Sequence, residues 1–264
     1  MTRSFFFVLA LACAGLAHAQ PPRRVLMVGN SLSYTNNLPA LVSAVARASG
    51  EPAVDVQLVA TGGGTLSERW ADGFVQRLMR EQRWDALVLQ ERGGRMACVA
   101  DYRAGTGDQC RQMREAHEHF VELARERHIR VLLLGTWSPE ERWQWRLSRG
   151  LREVAGALRV AAVDPGPALR DLAARRPAGA VYADEQFHPS LEASLLVACA
   201  LYRELYGKVP ERAAIDAQIS VLPASTYLYA MRTIANQSQP LPEPRRVDVP
   251  AERVAELIDV MAPR

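Results

Sequence analysis

The sequence predicts an α/β fold, a three-layer α/β/α flavodoxin-like sandwich with a parallel sheet of about five strands. Three observations support this prediction: five short runs are almost wholly apolar, helix-like segments separate them, and polar candidate residues follow the runs. Parallel strands are apolar throughout because helices cover both faces of their sheet. Ligands bind such sheets beyond the carboxyl ends of the strands, so those ends are where functional residues are expected.

The predicted strands are 25–28, 54–60, 86–89, 131–135 and 160–163. Apolar residues at three- and four-residue spacing predict helices over 38–48, 66–83, 111–127 and 142–158 between the strands, and over 191–206, 213–236 and 251–261 after them. Residues 240–249, rich in proline and arginine, are expected to form an exposed connector.

The first 19 residues have the pattern of a signal peptide. Arg3 supplies a positive charge, 5–16 are mostly apolar, and Ala17-His18-Ala19 is a small-x-small cleavage site. We therefore expect export to the periplasm or the medium after cleavage near Ala19/Gln20. Residues 20–264 are expected to form a single domain, with a core over about 24–208 and a C-terminal helical extension over about 211–264.

Composition excludes some classes of partner. The 264 residues carry a formal net charge of only +3, and the basic residues are spread along the chain, so no nucleic-acid partner is expected. No later segment approaches the roughly 20 uninterrupted apolar residues that a membrane helix needs. No integral membrane segment is therefore expected once the signal peptide is removed, and the oligomeric state is left open.

The cysteines indicate a disulfide. Cys98 and Cys110 flank a polar, glycine-containing stretch in a chain that we expect to be exported, so a bond between them is predicted. Cys199 lies in an apolar segment and is expected to be a buried core residue. No Cys/His spacing predicts a metal site, and no cofactor is expected.

A candidate nucleophile follows the first strand, in the string Gly29-Asn30-Ser31-Leu32-Ser33. A serine held in a tight turn at a strand end has an exposed hydroxyl, and its own N–H is available to an oxyanion. Such a triplet is weak evidence alone, so the case depends on partner residues elsewhere in the chain.

Candidate oxyanion donors follow the next two strands. Thr61-Gly62-Gly63-Gly64-Thr65 precedes a helix and exposes backbone N–H groups, but it matches neither a P-loop nor a dinucleotide fingerprint. It is equally consistent with a plain strand-to-helix turn. Gln90 ends the third strand with a side-chain amide that can donate to an oxyanion, although a simple loop residue is the alternative.

A histidine with acids close by stands near the end of the predicted core. Asp184 and Glu185 precede His188 by four and three residues, in a turn before a helix. A carboxylate that binds one imidazole nitrogen leaves the other free to take a proton from a serine. The remaining histidines of the mature chain, His117, His119 and His128, are expected on the solvated surface.

These four blocks, in this order, resemble the SGNH/GDSL hydrolase superfamily from about Arg24 to Lys208. The resemblance implies that Ser31 is the nucleophile, that Gly63 is a backbone oxyanion donor and that His188 is the general base. Two positions depart from the family pattern. Gln90 stands where asparagine is usual; spacing favours Glu185 as the acid by a small margin, whereas residue type favours Asp184.

The family implies an exported serine hydrolase that cleaves carboxylic esters through an acyl-enzyme, with a small-molecule or carbohydrate ester as substrate and O-acetylated carbohydrate as one candidate. Trp137, Trp143 and Trp145 could form an aromatic platform for the substrate, or they could pack in the helix core. The alternatives are a non-catalytic glycan- or ligand-binding protein on the same fold and a flavodoxin-like cofactor protein.

Overall fold

The computed structural model describes residues 24–52, 54–99 and 107–262. Five parallel strands form one sheet in the order β2-β1-β3-β4-β5, which is the predicted α/β architecture. Strand β1 lies inside the sheet, paired with β2 on one side and β3 on the other. The predicted signal peptide lies outside the described residues.

The element bounds agree with the predicted ones over most of the sheet. The strands are β1 (Arg24–Gly29), β2 (Asp55–Ala60), β3 (Ala86–Gln90), β4 (Arg130–Leu134) and β5 (Ala161–Val163). The helices are α1 (Ser31–Tyr34), α2 (Leu38–Ala48), α3 (Leu66–Ala71), α4 (Phe74–Glu81), α5 (Asp108–Glu126), α6 (Glu141–Leu158), α7 (Gly166–Ala173), α8 (Leu191–Tyr206) and α9 (Ala251–Val260).

Alternate residues of each central strand enter two separate cores. Val25 and Met27 of β1 pack into the core that α2, α7, α8 and α9 cover. Leu26 and Val28 point to the other face, which α4, α5 and α6 cover. Since both faces are buried, the strands are continuous apolar runs, and this pattern made them predictable.

The predicted helix over 66–83 is two helices. Asp72 ends α3, and its carboxylate accepts a hydrogen bond from the Phe74 N–H at the start of α4. The apolar periodicity continues through this break, which is why one long helix was predicted. Helix α7 was not predicted.

The predicted helix over 213–236 is wrong, and so is a wholly helical C-terminal extension. Residues Ile215–Ile219 form strand β6, which pairs antiparallel with β7 (Arg245–Val249), a strand inside the predicted connector. In β6, Ile215, Ala217 and Ile219 are buried and the residues between them are exposed, so the apolar period is two rather than 3.6. Only a short 3-10 turn, Ile234–Asn236, is helical in the rest of the segment.

The predicted disulfide and the predicted burial of Cys199 are both present in the structure. Cys98 and Cys110 form a disulfide that ties the turn after β3 to the start of α5. Closing a loop of about this length restricts the unfolded chain by an amount on the order of 3 kcal/mol. Cys199 is fully buried in α8.

One histidine prediction is wrong. His119 and His128 are exposed, but His117 is fully buried in α5, where its Nδ1 hydrogen-bonds the Met113 carbonyl at 2.8 Å. Burial lowers the pKa of His117 to about 4, so the ring is neutral at physiological pH. Finally, in the ranges that the structure describes, no helix is both long and apolar enough to cross a bilayer.

Candidate active site

Asn30 joins the carboxyl ends of the three strands β1, β2 and β3. Its amide nitrogen Nδ2 donates to the carbonyl oxygens of Gly64, at 3.3 Å, and Glu91, at 3.1 Å. Its Oδ1 accepts from the Leu32 N–H at 3.1 Å and caps α1. The loops that carry the candidate residues after these strands are therefore held together by one buried side chain.

Ser31 is the first residue of α1, directly after β1. The first N–H groups of a helix have no acceptor within the helix, and the Asn30 cap takes the Leu32 N–H. The Ser31 N–H is thus in a position to bind a ligand atom beside its own hydroxyl. Gly29 is required here because a Cβ atom at this position would collide with the Ser33 hydroxyl.

Gln90 ends β3 with a side chain that is only 1% exposed. Its Oε1 accepts a short hydrogen bond from the Ser33 hydroxyl. This bond orients the amide, and Nε2 is left buried without a partner among the described residues. A buried N–H₂ without an acceptor is costly in a resting protein, and such an atom is suited to an acceptor that a ligand brings.

The glycine loop after β2 presents its backbone to the same edge. The turn is closed by a hydrogen bond from the Gly64 N–H to the Thr61 carbonyl. Gly63 lies inside this turn at a φ of +64°, a left-handed conformation that glycine adopts without strain. The Gly63 N–H takes no part in the turn hydrogen bond.

Asp184 is the carboxylate that meets the histidine. Its Oδ2 lies 2.6 Å from His188 Nδ1, and its Oδ1 accepts from the backbone N–H groups of His188 and Gln186. The sequence-based preference for Glu185 as this contact is wrong. The contact is made at a spacing of four residues, by the acid that residue type favoured.

The electrostatics of Asp184 follow from these contacts. Burial opposes its ionisation, but hydrogen bonds from the His188 ring and from two backbone N–H groups outweigh that effect and lower the pKa of Asp184. Asp184 is therefore a carboxylate near neutral pH. An ionised acid on Nδ1 holds the ring in the tautomer that leaves Nε2 unprotonated.

The turn before His188 contains one residue in an unusual backbone conformation, Phe187. It adopts a left-handed conformation with a φ of +61°, which is unfavourable for a bulky residue and must be stabilised by its surroundings. Its N–H donates to the Asp184 carbonyl, and its carbonyl accepts from Trp137 Nε1 at 2.8 Å. Trp137 thus anchors the histidine turn to the loop after β4.

A second amide links the histidine turn to the serine segment. Asn36, two residues after α1, donates from Nδ2 to the Pro189 carbonyl at 2.8 Å and to the Ser194 hydroxyl at 3.0 Å. Ser31 and His188 therefore lie at the same edge of the sheet, although they are far apart in sequence.

A cavity of about 460 Å³ lies between these two segments. Leu32, next to the candidate nucleophile, and Phe187, next to His188, both line it. Most of the remaining wall comes from the loop after β4 and from α6: Trp137, Ser138, Pro139, Glu140, Trp143 and Leu147. Of the three tryptophans considered from the sequence, Trp137 and Trp143 line this cavity and Trp145 does not.

Sequence reasoning missed Glu91, which is 1% exposed beside Gln90. Its Oε1 accepts from the Arg92 N–H at 2.7 Å, and its Oε2 has no hydrogen-bond partner in the described part of the chain. Burial raises the pKa of Glu91 to about 7, although the Arg92 N–H and the charge of Arg95 act against the shift. No sequence signal reveals a buried acid in a segment that reads as a polar turn.

Comparison with solved structures identifies the fold. A protein from Slackia heliotrinireducens assigned to the SGNH hydrolases aligns over 68% of this chain and 97% of its own length, with a TM-score of 0.54 and 21% identity. A lipase/acylhydrolase from Enterococcus faecalis aligns over 72% and 100%, with a TM-score of 0.51 and 18% identity. A variant of an acetyl xylan esterase from Geobacillus stearothermophilus aligns over 71% and 96%, with a TM-score of 0.52 and 15% identity.

The chain therefore has the SGNH hydrolase fold, and its structural neighbours are esterases and acylhydrolases. No protein-family model matches the sequence. No curated protein matches it either.

Replacing Glu91 should change how stability depends on pH. Between the ordinary value of 4.5 and the native value of about 7, the folded protein keeps a proton that the unfolded chain has released, so stability falls as pH rises through this window. Across this window the contribution of Glu91 to the free energy of unfolding falls by an amount on the order of 3 kcal/mol. Urea unfolding at pH 5 and pH 8 should show this fall in the wild type and a smaller one in Glu91→Gln.

The matched control is Glu118→Gln on the exposed face of α5. It should retain the wild-type difference between the two pH values. If the free energy of unfolding changed equally between pH 5 and pH 8 in Glu91→Gln and in the wild type, the raised pKa of Glu91 would be contradicted.

Proposed function

We propose that this protein, which has the SGNH hydrolase fold, is an exported serine hydrolase that cleaves carboxylic esters. The observation that carries the proposal is the Asp184–His188 pair at the sheet edge where Ser31 begins its helix. A histidine held by an ionised acid is the general base that a serine nucleophile requires. The buried, unpartnered amide of Gln90 at the same edge supports the proposal.

In the proposed mechanism, His188 Nε2 takes the Ser31 hydroxyl proton as Ser31 Oγ attacks the ester carbonyl carbon. The tetrahedral intermediate collapses, its bond to the alcohol oxygen breaks, and the alcohol leaves with the proton that His188 returns. Water then attacks the acyl-serine with His188 again as base, which releases the carboxylic acid and restores Ser31. Asp184 stabilises the imidazolium without becoming protonated.

The oxyanion would be bound by the N–H groups of Ser31 and Gly63 and by Gln90 Nε2. These donors come from the loops after β1, β2 and β3, which the Asn30 amide joins. They are held in place before the substrate arrives, and preorganised donors stabilise developing charge without reorganising at the moment of reaction.

A carbohydrate O-acetyl ester is the proposed substrate class. Acetyl xylan esterases are among the proteins that share this fold, and the cavity beside Leu32 has tryptophan and phenylalanine walls of the kind on which sugar rings pack. Such a substrate fits an exported enzyme. A glycan-binding protein without turnover is the alternative on this fold.

A fluorophosphonate probe and a p-nitrophenyl ester series test the proposal. The purified mature protein should hydrolyse p-nitrophenyl acetate and should be labelled at Ser31, because only an activated serine reacts with the probe at an appreciable rate. Ser31→Ala should abolish labelling, and His188→Ala should lose nearly all of it. Ser33→Ala tests whether the neighbouring hydroxyl is labelled instead.

Absence of both labelling and hydrolysis across short and long acyl chains would favour the binding protein. Thermal unfolding of each variant shows whether the loss comes from misfolding.

The contact between Asp184 and His188 predicts which acid matters. Asp184→Asn should lower kcat on p-nitrophenyl acetate by on the order of a hundredfold or more, because the amide no longer stabilises the imidazolium or the required tautomer. Glu185→Gln is the matched control, since Glu185 is the exposed neighbour. It should keep near wild-type turnover, and a reversed order of the two variants would show that the resting contact is not the catalytic one.

The proposed oxyanion role of Gln90 predicts a loss of kcat with little change in KM. Gln90→Ala should reduce kcat by on the order of a hundredfold, since the lost donor acts mainly in the transition state. Exposed Gln112 of α5 provides the matched Gln→Ala control. A change of less than about threefold in kcat for a folded Gln90→Ala would rule out the role.

A further inference from the structure

A second cavity, of about 590 Å³, adjoins the one between Leu32 and Phe187. The two cavities share Gly93, Gly94 and Trp143 in their walls. The disulfide Cys98–Cys110 lines the second cavity, together with Ala97 and Gln109. Because three arginines line this second space, we call it the basic cavity.

The three arginines that line the basic cavity are Arg92, Arg95 and Arg146. Arg92 and Arg95 flank the glycine pair and are joined by a turn hydrogen bond from the Arg95 N–H to the Arg92 carbonyl. The turn therefore brings two cations to one wall. Arg146 approaches from α6 and lies over the Trp143 ring, 4.9 Å from its centroid.

Arg95 has a buried hydrogen-bond donor that is not used. Its Nη1 is buried and has no hydrogen-bond partner among the residues that the structure describes. Its charge acts on Glu91, but Glu91 Oε1 accepts from the Arg92 N–H. A buried guanidinium N–H without an acceptor loses hydration that no described residue replaces, and an incoming anion would supply the acceptor.

The position of the basic cavity ties it to the reaction site. Arg92 is two residues after Gln90. Gly93 and Gly94 line both cavities, and Leu32 lines the one next to the basic cavity. Gly93 and Gly94 have no side chains to close the passage. A molecule whose ester lies at Ser31 can therefore extend over the glycine pair into the basic cavity.

We propose that the basic cavity is a specificity subsite for an anionic group carried by the alcohol part of the ester substrate. This inference rests on the proposed esterase function and narrows its substrate class to acylated acidic molecules, such as an O-acetylated saccharide with a carboxylate, phosphate or sulfate. Guanidinium groups bind these anions through paired N–H donors, a geometry that lysine cannot provide.

The test uses a pair of substrates that differ in charge alone. O-acetylated glucuronate and O-acetylated glucuronamide carry the same ester, and only the former has an anion; released acetate is measured for both. O-acetylated glucose 6-phosphate and glucose 6-sulfate show which anion is preferred. Wild type is compared with Arg92→Gln/Arg95→Gln, and Arg142→Gln, an exposed arginine of α6 outside both cavities, is the control.

The wild type should show a kcat/KM at least about tenfold higher for an anionic substrate than for the uronamide, a difference that corresponds to about 1.4 kcal/mol. The double variant should lose this preference through KM while its activity on p-nitrophenyl acetate stays at the wild-type level. Added salt should reduce the preference. Equal activity on charged and neutral members, or a preference that survives in the double variant, would overturn the proposal.

Binding to Ser31→Ala separates the subsite from catalysis. Calorimetric titration with glucuronate, glucose 6-phosphate and neutral glucuronamide should show tighter binding of an anion, and this difference should be lost when the two arginines are replaced. If no ester is hydrolysed but the anion still binds in this way, the esterase proposal fails and the subsite stands. If esters are hydrolysed and no anion binds, the subsite fails alone.

Discussion

The hydrogen bonds of the Asn30 amide are the constraint on which the geometry of the candidate site depends. One buried side chain, 2% exposed, caps α1 and donates to the loops that follow β2 and β3. Two donated bonds need an N–H₂ group. An ionised aspartate is an acceptor only, so an aspartate at this position could not join the loops in this way.

Around this junction one donor, Gln90 Nε2, is held in place without a partner among the described residues. Gly29 is the last residue of β1. Because it has no Cβ atom, the Ser33 hydroxyl can reach Gln90. That contact occupies the acceptor of the Gln90 amide and leaves the donor. A buried donor without an acceptor destabilises the resting protein. Such a donor is consistent with a group that hydrogen-bonds a ligand when one is bound.

The sequence predicted the sheet well because both of its faces are buried, and continuous apolar runs result. It predicted α8 (Leu191–Tyr206) with its bounds, because Ser190 caps a long apolar helix. It failed for β6, where Ile215–Ile219 alternate with period two but were assigned to a longer helical pattern. A five-residue strand outside the main sheet gives too short a signal to outweigh its flanks.

The sequence predicted which residues form the candidate site better than it predicted their contacts. The strand-end rule pointed to Ser31 and Gln90, and the acids close by pointed to His188. The contact of Asp184 with His188 forms in a turn whose left-handed Phe187 is held by Trp137 from another loop. The sequence also placed His117 on the surface, whereas it is buried. Its neighbours in α5 are charged, yet it lies on the helix face that is buried against the sheet.

The turn after β3 combines three roles that are usually spread over separate loops. Within residues 90–95 the chain places the proposed oxyanion donor, a buried acid and two of the arginines of the basic cavity. Glu91 links them, because its backbone carbonyl accepts from Asn30 and its side chain accepts from the Arg92 N–H. A shift of this turn would move the amide donor and the cations together. The contacts of Asn30 and Ser33 that hold the amide donor therefore also fix where the two cations lie relative to it.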